Sequence, residues 1–321
     1  MEARKTRRPR VGLVFPTREI EPLPTAIRSW GEMAAETGAD YITISDHILG
    51  VDPTQQGAEW GRNWPHSAKF KRPYNHEDRF HEAFVTMGFL AAICPLELST
   101  GILVLPQRNT ALVAKQAAQV DLLSGGKLRL GVGVGWNKSE FAAVGEEFHD
   151  RGRRIEEQID LMRQYWTHPL VTFEGEFHKV HAAGLAPMPV QRPIPVWIGG
   201  AGLDKGVEPV ARLLGRIGAV ADGWCLNAAI NPSEVVAEAI SLVRKTAVEH
   251  GRDPDHLGFD KRLIVANIET DELVRRVKGF AKAGGTHITI ETNGLGLSSA
   301  PQSLAELTRL VGFIRNAAES T

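Results

Sequence analysis

Short apolar runs rich in β-branched residues recur along the chain, and amphipathic stretches separate them. The runs are "VGLVFP" from Val11, "YITISDH" from Tyr41, "LSTGILVLP" from Leu98, "LRLGVGVG" from Leu128, "IPVWIGG" from Ile194, "GAVADGWCLN" from Gly218, "LGFDKRLIVAN" from Leu257 and "THITIET" from Thr286. Runs of this length and composition predict strands. Between them, apolar residues at helical spacing predict helices over residues 111–123, 155–166, 234–250, 273–283 and 304–317. The seventh run is the weakest strand, because Asp260, Lys261 and Arg262 interrupt it.

Strand then helix, repeated, means parallel strands with crossovers covering the sheet. Eight such units predict an α/β fold, a closed (β/α)8 TIM barrel; a doubly wound open sheet is the rival that periodicity alone leaves open. Such a barrel typically takes about 250 residues, and the excess of this 321-residue chain falls in three insertions. Residues 49–80, rich in Pro, Asn, His and Trp, follow the second strand, and residues 136–148 follow the fourth. Residues 170–192, before the fifth, hold the hairpin-like "VTFEGEFHKVHAAG". With no low-complexity linker, the expected organisation is a basic disordered tail over 1–10 and a single domain over 11–321.

Composition narrows the function classes. With 43% hydrophobic and 23% charged residues the chain reads as soluble and globular. A net charge of -1 gives no reason to expect nucleic acid, and the basic start "MEARKTRRPR" lacks the apolar partners of a binding segment. No apolar run approaches the roughly 18 residues of a membrane span, and no signal sequence is recognisable, so the expected location is the cytoplasm. Cys94 and Cys225 sit far apart in apolar segments and read as buried thiols. His76 and His81 with Glu77, Asp78 and Glu82 match no compact zinc spacing, so no metal is expected and a capping role fits better.

The stretch "LRLGVGVGWNKSEF" invites comparison with the dinucleotide fingerprint. That fingerprint needs a third glycine where Trp136 stands, and it would normally open its βαβ unit. Glycines in a strand otherwise mark a bend or the close approach of another group.

Longer motifs carry a resemblance. "SDHILG", "RPYNHEDRFHEAFVTMGFLAA", "TGILVLPQRNTALVAKQAAQVDLLSGGKLRLGVGVGWNKSEF", "RGRRIEEQIDLMRQYWTHPLVTFEGEFH", "PMPVQRPIPVWIGGAG" and "ADGW" occur in this order. Over residues 11–222 the chain resembles the luciferase-like flavin and deazaflavin oxidoreductases, in particular their actinobacterial, coenzyme F420-associated branch. The resemblance implies a barrel holding a flavin or deazaflavin ring at the carboxyl ends of its strands, with a non-proline cis peptide at Gly101–Ile102 against the ring. Asp46 would contact the ring's polar edge, and His47 would face the reacting centre and assist proton movement.

The segment "IGGAG", which ends the fifth strand and is expected to begin a helix, would offer Gly199, Gly200 and Ala201 to a cofactor phosphate. Trp136, Ser139 and Asn227 fall at matching cofactor positions. One F420-dependent dehydrogenase branch has a carboxylate where this chain has Trp136, which argues against a sugar-phosphate substrate and for an apolar pocket. Arg151, Arg153 and Arg154 either reach the phosphate tail or pair locally, and Trp60, Trp64, Phe70 and Tyr74 form an aromatic insertion that serves as a lid or packs as a loop. The leading expectation is an F420-dependent oxidoreductase acting on a small organic molecule, with an FMN-dependent monooxygenase and a non-catalytic flavin or F420 carrier as alternatives, and a homodimer as the expected assembly.

Overall fold

The computed structural model describes residues 8–52, 74–200, 202–226, 233–266, 268–292, 295 and 300–319. Ala201, Asn227, Trp60, Trp64 and Phe70 lie outside them. The chain parts into two compact units, one formed by residues 1–16, 23–43 and 200–321, the other by residues 17–22 and 44–199.

In the first unit, β1 (Arg10–Val14) pairs in parallel with β2 (Tyr41–Ile44) and β11 (His287–Glu291), and β10 (Gly258–Ile264) pairs with β11 and with β9 (Gly223–Leu226). Helices α1 (Pro24–Glu36), α6 (Ala211–Val220), α7 (Ser233–Glu249), α8 (Thr270–Lys282) and α9 (Ala300–Glu319) cover these strands. Strand β10 corrects the expectation that its charges weaken it. It runs for seven residues with Asp260 and Lys261 buried. Asp260 accepts from Thr289 Oγ1 at 2.8 and 2.9 Å and from the Tyr41 hydroxyl at 3.2 Å, and Arg262 pairs with Glu291. Paired polar groups can line a strand as well as apolar ones can. The sixth strand also differs. Residues 218–220 close α6, whose Leu214, Ile217 and Gly218 are buried, so β9 begins only at Gly223.

In the second unit, β5 (Leu128–Gly133) pairs in parallel with β3 (Glu97–Thr100), β4 (Leu103–Val104) and β8 (Val196–Gly200). Helices α2 (Ala83–Ala91), α3 (Thr110–Leu123), α4 (Lys138–Ala143) and α5 (Arg151–Thr167) accompany them. The expected hairpin forms from β6 (Val171–Glu174) and β7 (Lys179–Ala183). The fold is an α/β (β/α)8 barrel, in which β3 and β4, both paired with β5, are two parts of one strand.

The break between β3 and β4 explains the glycines of β5. The Gly101–Ile102 peptide is cis, as the resemblance implies. A Cβ at Gly131 would lie 2.1 Å from Thr100 O, and one at Gly133 or Gly199 would lie 2.6 or 2.5 Å from Ile102 side-chain carbons. Ile102 and the backbone before it occupy the volume that side chains on β5 and β8 would need. Among the described residues no helix is long and apolar enough to cross a membrane.

Candidate functional site

Beyond the end of β2, Ser45 Oγ donates to Gly101 O at 3.2 Å and Gly101 N donates to Ile44 O at 2.8 Å, tying this segment to the β3–β4 break. Asp46 is buried and takes Arg108 Nη2 on Oδ2 at 2.8 Å. Burial pushes its carboxyl up, and the Arg108 guanidinium acts the other way without cancelling it. Arg108 is held in turn by Glu82 at 3.3 Å and by its own carbonyl, which accepts Gln158 Nε2 at 3.1 Å.

His47 sits among aromatic rings. Its ring centroid lies 4.1 Å from that of Tyr74, 4.9 Å from that of Phe80 and 6.5 Å from that of Trp136. Tyr74 and Phe80 arrive from the carboxyl end of the 49–80 insertion, whose turn is built locally. Asn75 Oδ1 accepts from Glu77 N and Asp78 N, and Asp78 returns a carboxylate to Asn75 N and Arg18 Nε. Gly50 is required at the base of the insertion, since a Cβ there would lie 2.1 Å from Asn75 O. Glu82 caps α2 by accepting Val85 N at 2.7 Å, so the acidic and histidine cluster does serve capping.

Beneath His47 lies Glu140, a residue that the motif reading passed over. It belongs to α4, whose cap Asn137 accepts Ser139 N at 3.0 Å and gives Nδ2 to the Tyr74 hydroxyl at 3.0 Å. The Glu140 side chain is 1% exposed, and Oε1 lies 3.2 Å from His47 Nδ1. The same carboxylate accepts Leu49 N at 3.3 Å and Gln107 Nε2 at 3.2 Å. Burial and then this carboxylate push the Tyr74 phenol well up. In sequence, Asn137-x-x-Glu140 has the form of a capping box, in which the glutamate would reach back to its own helix start. Gln107 and Arg108 carry no comparable signal.

The structure ties the segment of Asp46 and His47 to Gly101 through Ser45, sets the His47 ring 6.5 Å from that of Trp136, and packs Ile102 against Gly133 and Gly199. His47 and Ile102 are partly exposed, and His47 Nε2 has no hydrogen-bond partner among the described residues. Ser139 contributes its backbone N–H to the α4 cap. The glycine segment after β8 differs from expectation. Gly200 takes the Trp224 indole N–H on its carbonyl at 3.0 Å, and α6 starts only at Ala211 after a 3-10 turn at Glu208–Val210. The helix amino terminus expected directly after "IGGAG" is therefore absent. The arginines of α5 pair locally: Arg153 with Asp150 and Glu176, Arg154 with Glu146, while Arg151 stacks 3.7 Å over Phe148.

Comparison with known proteins adds what geometry alone does not. The chain is 35% identical over 218 residues to an FMNH(2)-dependent dimethylsulfone monooxygenase of Pseudomonas putida, covering 67% of this chain and 57% of that protein. It is 28% identical over 266 residues to an F420-dependent glucose-6-phosphate dehydrogenase of Mycolicibacterium gilvum, covering 80% of this chain and 66% of that one. Among solved structures, an F420-dependent secondary alcohol dehydrogenase in complex with an F420-acetone adduct superposes with a TM-score of 0.72 at 16% identity, over 96% of this chain and 99% of the other, and shares its fold. The family model for luciferase-like monooxygenases matches residues 15–278, and the chain belongs to that family.

Proposed function

We propose that this chain is an F420-dependent oxidoreductase that moves a hydride between the deazaflavin and a small organic substrate. One observation carries the reading: a partly exposed imidazole whose Nε2 has no partner among the described residues, with the half-buried ring of Trp136 6.5 Å away, next to a β2 end that Ser45 ties to the Gly101–Ile102 break. A flavin or deazaflavin ring is flat and largely apolar, and these residues suit it. Ile102, backed by Gly133 and Gly199, offers an apolar shelf without side chains behind it.

Gly101, Ile102, Trp136 and Ser139 would hold the ring, and Gly199, Gly200, Ala201 and Asn227 its tail. Asp46, already paired with Arg108, would orient the ring's polar edge through that pair. When bound, the cofactor supplies or accepts the hydride. His47 would move the accompanying proton at Nε2, and the aromatic residues around it would keep water away. We further assign the protein to the cytoplasm, as a homodimer.

An FMN-dependent monooxygenase is the second reading, favoured by the 35% identity to the dimethylsulfone enzyme. Parallel fluorescence titration of the purified protein with F420 and FMN separates them. Saturable F420 binding with weak FMN binding supports hydride transfer, and the reverse moves the protein to oxygen chemistry. Binding of neither removes the assignment. Binding without turnover across a panel of unsaturated carbonyl and nitro compounds points to a carrier.

A further inference from the structure

We propose that Glu140 is the positioning residue for His47, holding the imidazole proton on Nδ1 so that Nε2 faces outward as a proton acceptor. The inference rests on the reading that His47 is the working group. Its argument is a count of donors and acceptors. Leu49 N–H at 3.3 Å and Gln107 Nε2 at 3.2 Å can only donate to the Glu140 carboxylate. The Tyr74 hydroxyl accepts from Asn137 Nδ2 at 3.0 Å, and the charge of the Glu140 carboxylate helps to push that phenol up. An ionised carboxylate is acceptor-only, with about four lone-pair sites. The His47 Nδ1 contact at 3.2 Å completes such a set when Nδ1 is the donor.

A neutral imidazole has one N–H, so a proton fixed on Nδ1 leaves a lone pair on Nε2. A glutamate serving only as a cap would have no reason to be 1% exposed or to reach a histidine 93 positions away. Burying a carboxylate is costly unless it is fully paired. Here the carboxylate on α4 gathers Leu49, Gln107 and His47 from three separate segments.

The test reads the histidine nitrogens directly in cofactor-free protein, so it fails or succeeds apart from the cofactor assignment. Nitrogen–proton correlation spectra of histidine-labelled protein are recorded at a pH where the imidazole is neutral, and the His47 signals are identified by their loss in His47→Gln. The expected wild-type spectrum has the proton on Nδ1 and an unprotonated Nε2. Glu140→Gln, which can donate as well as accept, should shift the population toward the Nε2–H form that free histidine prefers. Tyr74→Phe removes the hydroxyl bonded to Asn137 but leaves the His47–Glu140 contact, and should keep Nδ1–H. A wild-type Nε2–H form overturns the proposal, even where Glu140→Gln fails to fold, and so does an unchanged tautomer in a folded Glu140→Gln. If the wild type shows Nδ1–H yet binds neither F420 nor FMN, the functional reading falls and the positioning role stands.

Discussion

Ile102 crowds two glycines and the Thr100 carbonyl a third, and the atoms each glycine faces decide what a side chain there would do. At Gly133 the nearest atom to an added Cβ is the Ile102 Cδ1 tip, at Gly199 it is Cγ2, and at Gly131 it is the Thr100 carbonyl oxygen, which is backbone. Overpacking a core position typically costs about 1–3 kcal/mol. Gly133→Ala should be the mildest of the three, because a side-chain tip can rotate away, and Gly131→Ala the most severe. Ile102→Val removes Cδ1 but keeps Cγ2. Urea unfolding of the double variants should therefore show Ile102→Val relieving Gly133→Ala and leaving Gly199→Ala unrelieved; equal relief of both would contradict the packing described. The same residues mark what was legible. That "GVGVG" departs from the dinucleotide fingerprint is read from Trp136 and from the strands that precede the stretch. Their partner Ile102 could be named only through the family resemblance, because no local pattern records which strand presses on which.

At the scale of elements, two buried or half-buried carboxylates titrate with opposite signs. Burial raises the Asp46 carboxyl despite Arg108. A raised group stabilises fully below its unfolded value and loses that contribution as pH rises through the folded value. Arg108→Met removes the counter-charge and should cost about 3–5 kcal/mol at neutral pH, the penalty of an uncompensated buried charge. The loss should shrink as pH falls through the raised folded-state value of Asp46, where the carboxyl takes up a proton. Asp46→Asn in the same background should restore part of the stability at neutral pH; thermal melts of both variants across pH test this.

Glu157 behaves in the reverse way. Burial pushes it up, but His178 and the Phe177 and Glu176 backbone N–H groups outweigh burial and hold it below the usual range. Its contribution is present above the unfolded value and is lost as pH falls through the folded one. Glu157 accepts His178 Nδ1 at 2.7 Å, Glu176 N at 2.7 Å and Phe177 N at 2.9 Å, so it ties the turn of the β6–β7 hairpin to α5. Hydrogen exchange, corrected for intrinsic rates, should show the Glu176 and Phe177 amides losing protection as pH drops below the ordinary glutamate range near 4.3, and Glu157→Gln should lose it at neutral pH as well. Protection that persists in Glu157→Gln would rule out this tether.

Across the whole molecule, the alternation of apolar and amphipathic runs pointed to eight parallel strand–helix units, because parallel strands buried on both faces leave a strong periodic trace, but it left an open sheet as the rival of the barrel. The trace was faint at β10, which forms as expected with its charges in a side-chain network, and it misled at residues 218–220, which close α6 instead of opening a strand. The site was half legible for a different reason. His47, Trp136, Arg108 and Glu140 all lie inside the quoted motifs, but Glu140 and Arg108 draw their roles from partners 93 and 62 positions away, which no motif records.

Surface composition supplies the remaining prediction. Helix α2 has no charged residue in its nine positions. Its outer stripe reads Val85, Gly88, Phe89 and then Ala92 beyond its end, with Val85 73% exposed, and on α3 Leu112 is 56% exposed. A helix apolar on all sides is one that expects cover. A two-fold dimer would supply it and would set each copy's Val85 near the same patch of its partner. Sedimentation equilibrium should find the wild type dimeric at micromolar concentration. Val85→Glu, which confronts like charges across such an axis, should shift it to monomer without lowering the thermal midpoint of the isolated chain. A monomeric wild type, or a Val85→Glu protein that stays dimeric, would place the partner surface elsewhere.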